Sequence, residues 1–350
     1  MIKFSTYLIL FFATISIVTG QEVEILKSQN VDIFSTLNDG PYVFIENNKL
    51  IEKRIIKGEI HEKILASNAY DTLFPADDVI FKNVEKIAAL SDIHGQYDLA
   101  MEIFQTNKII DEDLNWKFGE GHLVIVGDVF DRGDKVTELL WFIFNLEEQA
   151  KKAGGSVHFL LGNHEYMILH NDVRYIHKKY RKTTRVFNFG YDKLFNKNTI
   201  LGRWLRSKST VIKINNNVFV HGGVSDEFLS KTDFEFEKIN TIMRNSIDVS
   251  KEEMKSTDFY STYYGSESLI WYRGYFNDNL LDKEVSSILK RLNSEHIVVG
   301  HCSNEEVVQL YDNKIFGVDS SMKLGEYGEI LFIKKNKYYR RTLGGKKKRF

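Results

Sequence analysis

The sequence predicts an α/β fold built in layers, and three stretches predict it. Lys86-Ile87-Ala88-Ala89-Leu90, His122-Leu123-Val124-Ile125-Val126 and Ser156-Val157-His158-Phe159-Leu160-Leu161 are short apolar runs with the character of buried strands. Each ends in a cluster of Gly, Asp, Asn or His, and a helical pattern follows. Phe and Tyr are abundant (25 and 17) and Pro is scarce (2), as suits a sheet-rich chain with few rigid linkers.

The 350 residues are enough for one large domain or two small ones. A hydrophobic content of 43% and a charged content of 27% are those of a globular chain. The formal net charge of −1 gives no global field to recruit nucleic acid or an anionic membrane, so no nucleic-acid partner is expected.

Residues 1–20 read as a secretory signal, with Lys3 ahead of an apolar run from Tyr7 to Val18 and small residues at Val18 and Gly20. That run is shorter than the roughly 20 residues that span a bilayer, so no stable membrane anchor is expected; an anchor or a buried helix is the alternative reading. The expectation is an exported protein, periplasmic or secreted. Cys302 is the one cysteine, so no intramolecular disulfide can form.

Taken in order, residues 21–84 form an N-terminal extension, in which Tyr42–Ile45 and Leu50–Ile56 predict a β-hairpin. A single domain is expected over 85–345. After its first strand comes Ser91-Asp92-Ile93-His94-Gly95-Gln96, then a helix through Leu99 and Ile103. After the second comes Gly127-Asp128-Val129-Phe130-Asp131-Arg132-Gly133, then a helix from Lys135 to about Lys152. After the third comes Gly162-Asn163-His164-Glu165. Residues 166–209 are aromatic and basic, and predict a helical insertion over the cleft; a solvated basic face is the alternative for most of its cations. Val218–Val220 leads to His221-Gly222-Gly223, and His296–Val299 leads to Gly300-His301. Residues 250–268 read as a long loop, 307–341 as a β-meander, and Lys346–Arg349 as a frayed end.

Five strands thus end in Asp92/His94, Asp128, Asn163/His164, His221 and His301. Imidazole, carboxylate and amide oxygen together suit divalent Mn, Fe or Zn. Asp128 comes straight off a strand, and its two oxygens can touch two cations at once. The competing reading is a plain strand–helix loop in which Asp131 or Asp134 only caps the helix. The six other histidines lack the strand-end setting and read as structural or surface residues.

The ordered motifs Asp-x-His-Gly, Gly-Asp-x-x-Asp-Arg-Gly, Gly-Asn-His-Glu, His-Gly-Gly and Gly-His, over residues 86–320, resemble the calcineurin-like metallophosphoesterases of the phosphoprotein phosphatase type. Asn171-Asp172-Val173-Arg174-Tyr175 and Trp271-Tyr272-Arg273-Gly274 resemble the Shewanella-like protein phosphatase branch. The resemblance implies a layered β-sandwich core flanked by helices. It implies two metal ions, one on Asp92, His94 and Asp128, the other on Asp128, Asn163, His221 and His301. Arg132, Arg273 and Asn163 would bind phosphate, and His164, oriented by Asp131, would be the general acid. The implied reaction is hydrolysis of phosphomonoesters, on phosphorylated Ser/Thr or Tyr proteins or small phosphomonoesters, by a metal-bridging hydroxide. A dinucleoside polyphosphate or nucleotide hydrolase is the alternative, and an inactive phosphate-binding module a further one. Two positions depart from the pattern. Ser91 stands where glycine is usual, a mild change if its side chain points away, and Cys302 follows His301.

Overall fold

The computed structural model describes residues 34–350. The expected signal segment, and the chain up to residue 33, lie outside the described residues. The first element is a three-stranded antiparallel sheet of β1 (Asp39–Glu46), β2 (Lys49–Ile56) and β3 (Glu59–Ile64). Its first turn is Asn47-Asn48, both at positive φ, which matches the twist of a two-residue hairpin. The expected hairpin is there, with a third strand added. Glu59–Ile64 lacks a buried face, so no alternation in its sequence marks it.

Two six-stranded sheets form the rest of the core. One runs in the order β11-β12-β10-β9-β8-β4, from β4 (Ile80–Phe81), β8 (Val211–Ile214), β9 (Asn217–Val220), β10 (His296–Val299), β11 (Val308–Leu310) and β12 (Ile315–Gly317). The other runs β15-β14-β13-β5-β6-β7, from β5 (Lys86–Leu90), β6 (His122–Ile125), β7 (Ser156–Phe159), β13 (Glu329–Lys334), β14 (Lys337–Thr342) and β15 (Lys347–Arg349). Ring stacking of Phe316 on Tyr338 (4.6 Å) and the Tyr338 hydroxyl on Asn217 (2.8 Å) join the two sheets.

Helix α1 (Tyr97–Thr106) and helix α2 (Val136–Lys152) supply the crossovers that make β5, β6 and β7 parallel. Leu139, Leu140, Ile143 and Leu146 put the helical period of α2 into the core, as the sequence predicts. The architecture is the expected α/β layered sandwich flanked by helices.

Residues 163–205 hold α3 (Asn163–Leu169), α4 (Lys178–Phe187) and α5 (Ile200–Leu205). The expected insertion is helical. Tyr180, Tyr191, Phe195, Leu201 and Trp204 are buried and anchor it to the core, while Tyr175 lies beside His164 and Arg132. Its cations are mostly engaged locally: Lys179 with Asp39 and Glu138, Arg174 with Asp172, Arg203 with backbone carbonyls.

After α6 (Asp226–Lys231) and α7 (Phe236–Ser246), residues 250–268 correct the long-loop expectation with α8 (Lys251–Lys255) and α9 (Phe259–Tyr264). Ser250 caps α8 by accepting from the Glu253 N–H (3.1 Å), and Tyr260 stacks on Tyr264 (5.5 Å) in α9. Ring stacking four residues apart within the helix offsets the weak helix propensity of Ser and Tyr. Helices α10 (Gly274–Asn277) and α11 (Asp282–Arg291) precede β10.

The expected meander is divided. β11 and β12 close the first sheet, while β13 crosses to pair with β5 in the second. The expected frayed end is β15, held on β14 with Lys347 over the Tyr339 ring at 3.6 Å.

Candidate metal centre

The site residues follow the ends of parallel strands, β5 and β6 in one sheet and β9 and β10 in the other, and within each pair the exits are bonded to one another. Asp92 N–H donates to Gly127 O (3.1 Å), His94 N–H to Asp128 O (3.0 Å) and Gly300 N–H to His221 O (2.9 Å). Sharp exits require unusual backbone. Asp92, His94, Asp128, Asp131, Arg132 and His301 all have φ between 47° and 72°. Non-glycine residues in this region are strained and persist where the surroundings hold them. Gly162 answers a different need: a Cβ there would lie 2.4 Å from Asp128 Oδ1 and 2.9 Å from His221 Cγ.

Glu165 holds the second loop. Its buried carboxylate accepts from the backbone N–H of Asp128 (2.8 Å), Val129 (2.7 Å), Phe130 (3.2 Å) and Gly162 (2.7 Å). The Gly-Asn-His-Glu motif contains this residue, and the sequence alone assigns it no role. A Glu three residues after a strand-ending Gly, at the start of a helix, is the signal that was available.

All the sequence-selected polar side chains except the two arginines are buried. Asp128 Oδ2 lies 3.6 Å from His94 Nε2 and 3.2 Å from His221 Nε2. Asp92 Oδ1 is 3.7 Å from His94 Nε2. His221 Nε2 also lies 2.8 Å from Asn163 Oδ1 and 3.2 Å from His301 Nδ1. His94, Asp128 and His164 form one group of converging ligand atoms, and Asp128, His221 and His301 form another.

The proton positions follow from the outer partners. His94 Nδ1 faces Phe130 O (2.6 Å) and His221 Nδ1 faces Val126 O (2.8 Å). A carbonyl only accepts, so each Nδ1 carries hydrogen and each Nε2 of the neutral ring presents a lone pair. The His221 lone pair then faces a carboxylate oxygen and an amide oxygen, acceptor against acceptor. Only a cation resolves that, and the donor set suits Mn, Fe or Zn. With protons as the available cations, the charges push the same way. Burial opposes a charged His221, but Asp128 and the nearby Asp92 raise it to about 10. Burial and the His221 charge lower His301 to about 3. Asp128 is held well below its usual range: burial opposes this, and His221 and His164 outweigh it.

His164 sits at the start of α3. Its N–H donates to Asp128 Oδ1 (3.0 Å) and its Nδ1 lies 2.5 Å from Asp131 Oδ2. Burial lowers its basicity, while Asp128 and the bond to Asp131 raise it, for a net upward shift. Tyr175 flanks it, 5.3 Å from the imidazole and 5.6 Å from the Arg132 guanidinium. Arg132 and Arg273 are exposed and neither makes an ion pair among the described residues. Arg273 lies near Trp271, whose ring meets His301 at 5.5 Å.

Ser91 does not point away, as the sequence reading supposes. Its hydroxyl donates to Asp92 Oδ2 (2.6 Å), which also accepts from the His301 N–H (2.9 Å). Two donors on one oxygen leave Asp92 Oδ1 as the atom facing His94. Burial raises the neighbouring Cys302 thiol to about 11, so it is largely protonated at neutral pH.

The calcineurin-like phosphoesterase family model matches residues 85–302. The chain belongs to this family. A cold-active protein-tyrosine phosphatase of a psychrophilic Shewanella has a similar solved structure: 38% identity and a TM-score of 0.85, over 89% of this chain and 98% of that one. Shewanella-like protein phosphatase 1 of Plasmodium berghei is 27% identical over 82% of this chain and 77% of its own length. Shewanella-like protein phosphatase 2 of Arabidopsis thaliana is 24% identical over 70% and 73%. This phosphoesterase is therefore a metal-dependent phosphoester hydrolase with Shewanella-like phosphatase relatives. Its family works with two metal ions, and the buried ligand groups around Asp128 are the candidates to hold them.

Proposed function

We propose that this phosphoesterase is an exported phosphatase that hydrolyses phosphomonoesters, with phosphotyrosine in proteins as its main substrate class. The observation that carries the reading is the Asp128 carboxylate, whose Oδ2 lies within 3.6 Å of both His94 Nε2 and His221 Nε2. One carboxylate between two imidazole clusters is the arrangement a shared ligand needs. Asp92, His94 and Asp128 would hold one ion; Asp128, Asn163, His221 and His301 would hold the other, drawn from Mn, Fe or Zn. When bound, such a pair neutralises phosphate charge and makes water a nucleophile near neutral pH.

The remaining work belongs to side chains. Arg132 and Arg273, free of ion pairs among the described residues, present planar guanidinium donors to the phosphoryl oxygens, and the Asn163 amide is a further donor. His164 gives its Nε2 proton to the departing oxygen, and Asp131 fixes the ring by accepting from Nδ1. The phosphotyrosine assignment rests on likeness to the Shewanella enzyme, which is described as a protein-tyrosine phosphatase. The exposed Tyr175 ring beside His164 offers an aromatic ester a face to pack on. Export, to the periplasm or medium, rests on the signal-like character of residues 1–20.

The test is a substrate panel with metal reconstitution. Protein loaded with Mn, or with Fe and Zn, is assayed on phosphotyrosine, phosphoserine and phosphothreonine peptides and on a dinucleoside polyphosphate. Turnover fastest on phosphotyrosine supports the proposal. Preference for the dinucleotide, or no turnover with any metal, overturns it.

A further inference from the structure

The C-terminal strands concentrate positive charge. Residues 334–350 contain nine Lys or Arg and no Asp or Glu, in a chain of net charge −1. The register shows how this charge is sorted. Lys86 lies opposite Lys334, Lys334 opposite Lys337, Arg341 opposite Lys347, and Tyr339 opposite both Phe332 and Arg349. Directly paired residues share a face, and so do alternate residues along a strand. Lys86, Lys334, Lys337, Arg341, Lys347 and Arg349 therefore stand on one face of β5, β13, β14 and β15.

The opposite face handles its cations differently. There Arg340 pairs with Glu306 and Glu329, and Lys348 with Glu329. No carboxylate lies in ion-pair range of the six on the first face among the described residues. Glu120 is the acid that reaches Lys86 electrostatically, while burial and Lys334 depress the Lys86 ammonium. Like charges placed directly opposite destabilise a sheet, so this face is held at a cost that folding alone does not explain. Aromatic rings lie among the cations: Lys347 and Arg349 over Tyr339, Arg341 over Phe332, Lys86 over Phe118.

We propose that this face docks the protein on an anionic lipid surface. Four strands spread the cations over about 14 Å across the sheet, so they converge on no single phosphate and fit a plane of headgroups. The half-buried Tyr339 at the centre is suited to the polar–apolar boundary of a membrane. Each cation near such a surface adds to reversible, salt-sensitive binding without an anchor. Lys86, Lys334 and Lys337 lie at the end of β5 away from Asp92.

Co-sedimentation of the purified protein with vesicles tests this. Vesicles of phosphatidylcholine with about one-third phosphatidylserine should bind it and pure phosphatidylcholine vesicles should not, with binding lost in high salt. Lys334→Glu with Lys337→Glu, or Lys347→Glu with Arg349→Glu, should weaken binding about tenfold or more. Lys151→Glu with Lys152→Glu on α2 should not. Hydrolysis of p-nitrophenyl phosphate in solution should be unchanged in all of them, which separates this inference from the catalytic one and certifies folding. Equal binding to both vesicles, binding to neither, or indifference to the charge reversals overturns the proposal. So does binding to soluble polyglutamate or heparin in preference to the vesicles.

Discussion

Asp131 Oδ2 lies 2.5 Å from Nδ1 of His164, and both groups are buried at the edge of the metal cluster. A charge-assisted bond of this kind fixes the ring with its Nδ1 proton toward Asp131 and favours the imidazolium, whose second proton sits outward on Nε2.

His164→Asn should separate substrates by leaving group. Proton donation contributes about 10²–10⁴-fold where the departing oxygen is a poor leaving group. Loss should be in that range for an alkyl phosphate and smaller for an aryl one, whose phenol has a pKa near 10. Steady-state kcat on both substrates checks it. Equal losses would remove His164 from the proton-transfer role.

Asp128→Asn should uncouple the centre. An amide keeps the shape and loses the charge that faces both His94 and His221. Elemental analysis should find less than one metal retained per chain in place of two, with activity down about a thousandfold or more. Full metal content in the variant would refute the shared-ligand role.

Glu165→Gln should destabilise more than an ordinary surface change. The carboxylate accepts four backbone N–H bonds, and an amide turns a donor toward some of them. A loss of about 2–4 kcal/mol is expected, read as a lower urea midpoint at unchanged slope. Because that loop carries Asp128, metal affinity should fall with it.

Metal removal should hurt more as pH rises. In the metal-free protein burial works against a charged His221, yet Asp128 raises its folded-state value to about 10, above the usual 6.5 or so. A raised value contributes stability that is complete below about 6.5 and is lost as pH climbs toward about 10. A metal on Nε2 does the same task without a proton. The gap in melting temperature between loaded and stripped protein should therefore widen from pH 6.5 to 10. A constant gap across that range would show that His221 carries no proton in the stripped state.

The cluster was legible because its chemistry restricts residue type. Few residues other than Asp, Asn and His can stand at these strand ends, and the glycines beside them mark close approach. What the sequence concealed was set by tertiary partners. Glu59–Ile64 pairs on β2 without burying a face, so its six residues show no period. Residues 251–264 form two short helices, the first capped by Ser250 and the second supported by stacking of its own rings, which a Ser- and Tyr-rich composition does not advertise. Ser91 looked neutral until its hydroxyl was found on Asp92. Lys347 to Arg349 looked like a solvated tail until Tyr339 gave them a surface to cover.

The His301 N–H that donates to Asp92 comes from 209 positions further along the chain. Polypeptides are made from the N-terminus, so Asp92, His94 and Asp128 are on hand long before their distant partner is. A growing chain can lay down β5, β6 and β7 in turn, yet its pocket stays incomplete until β10 arrives. The two parts of the ligand set thus meet only once β10 is in place, when most of the framework already exists.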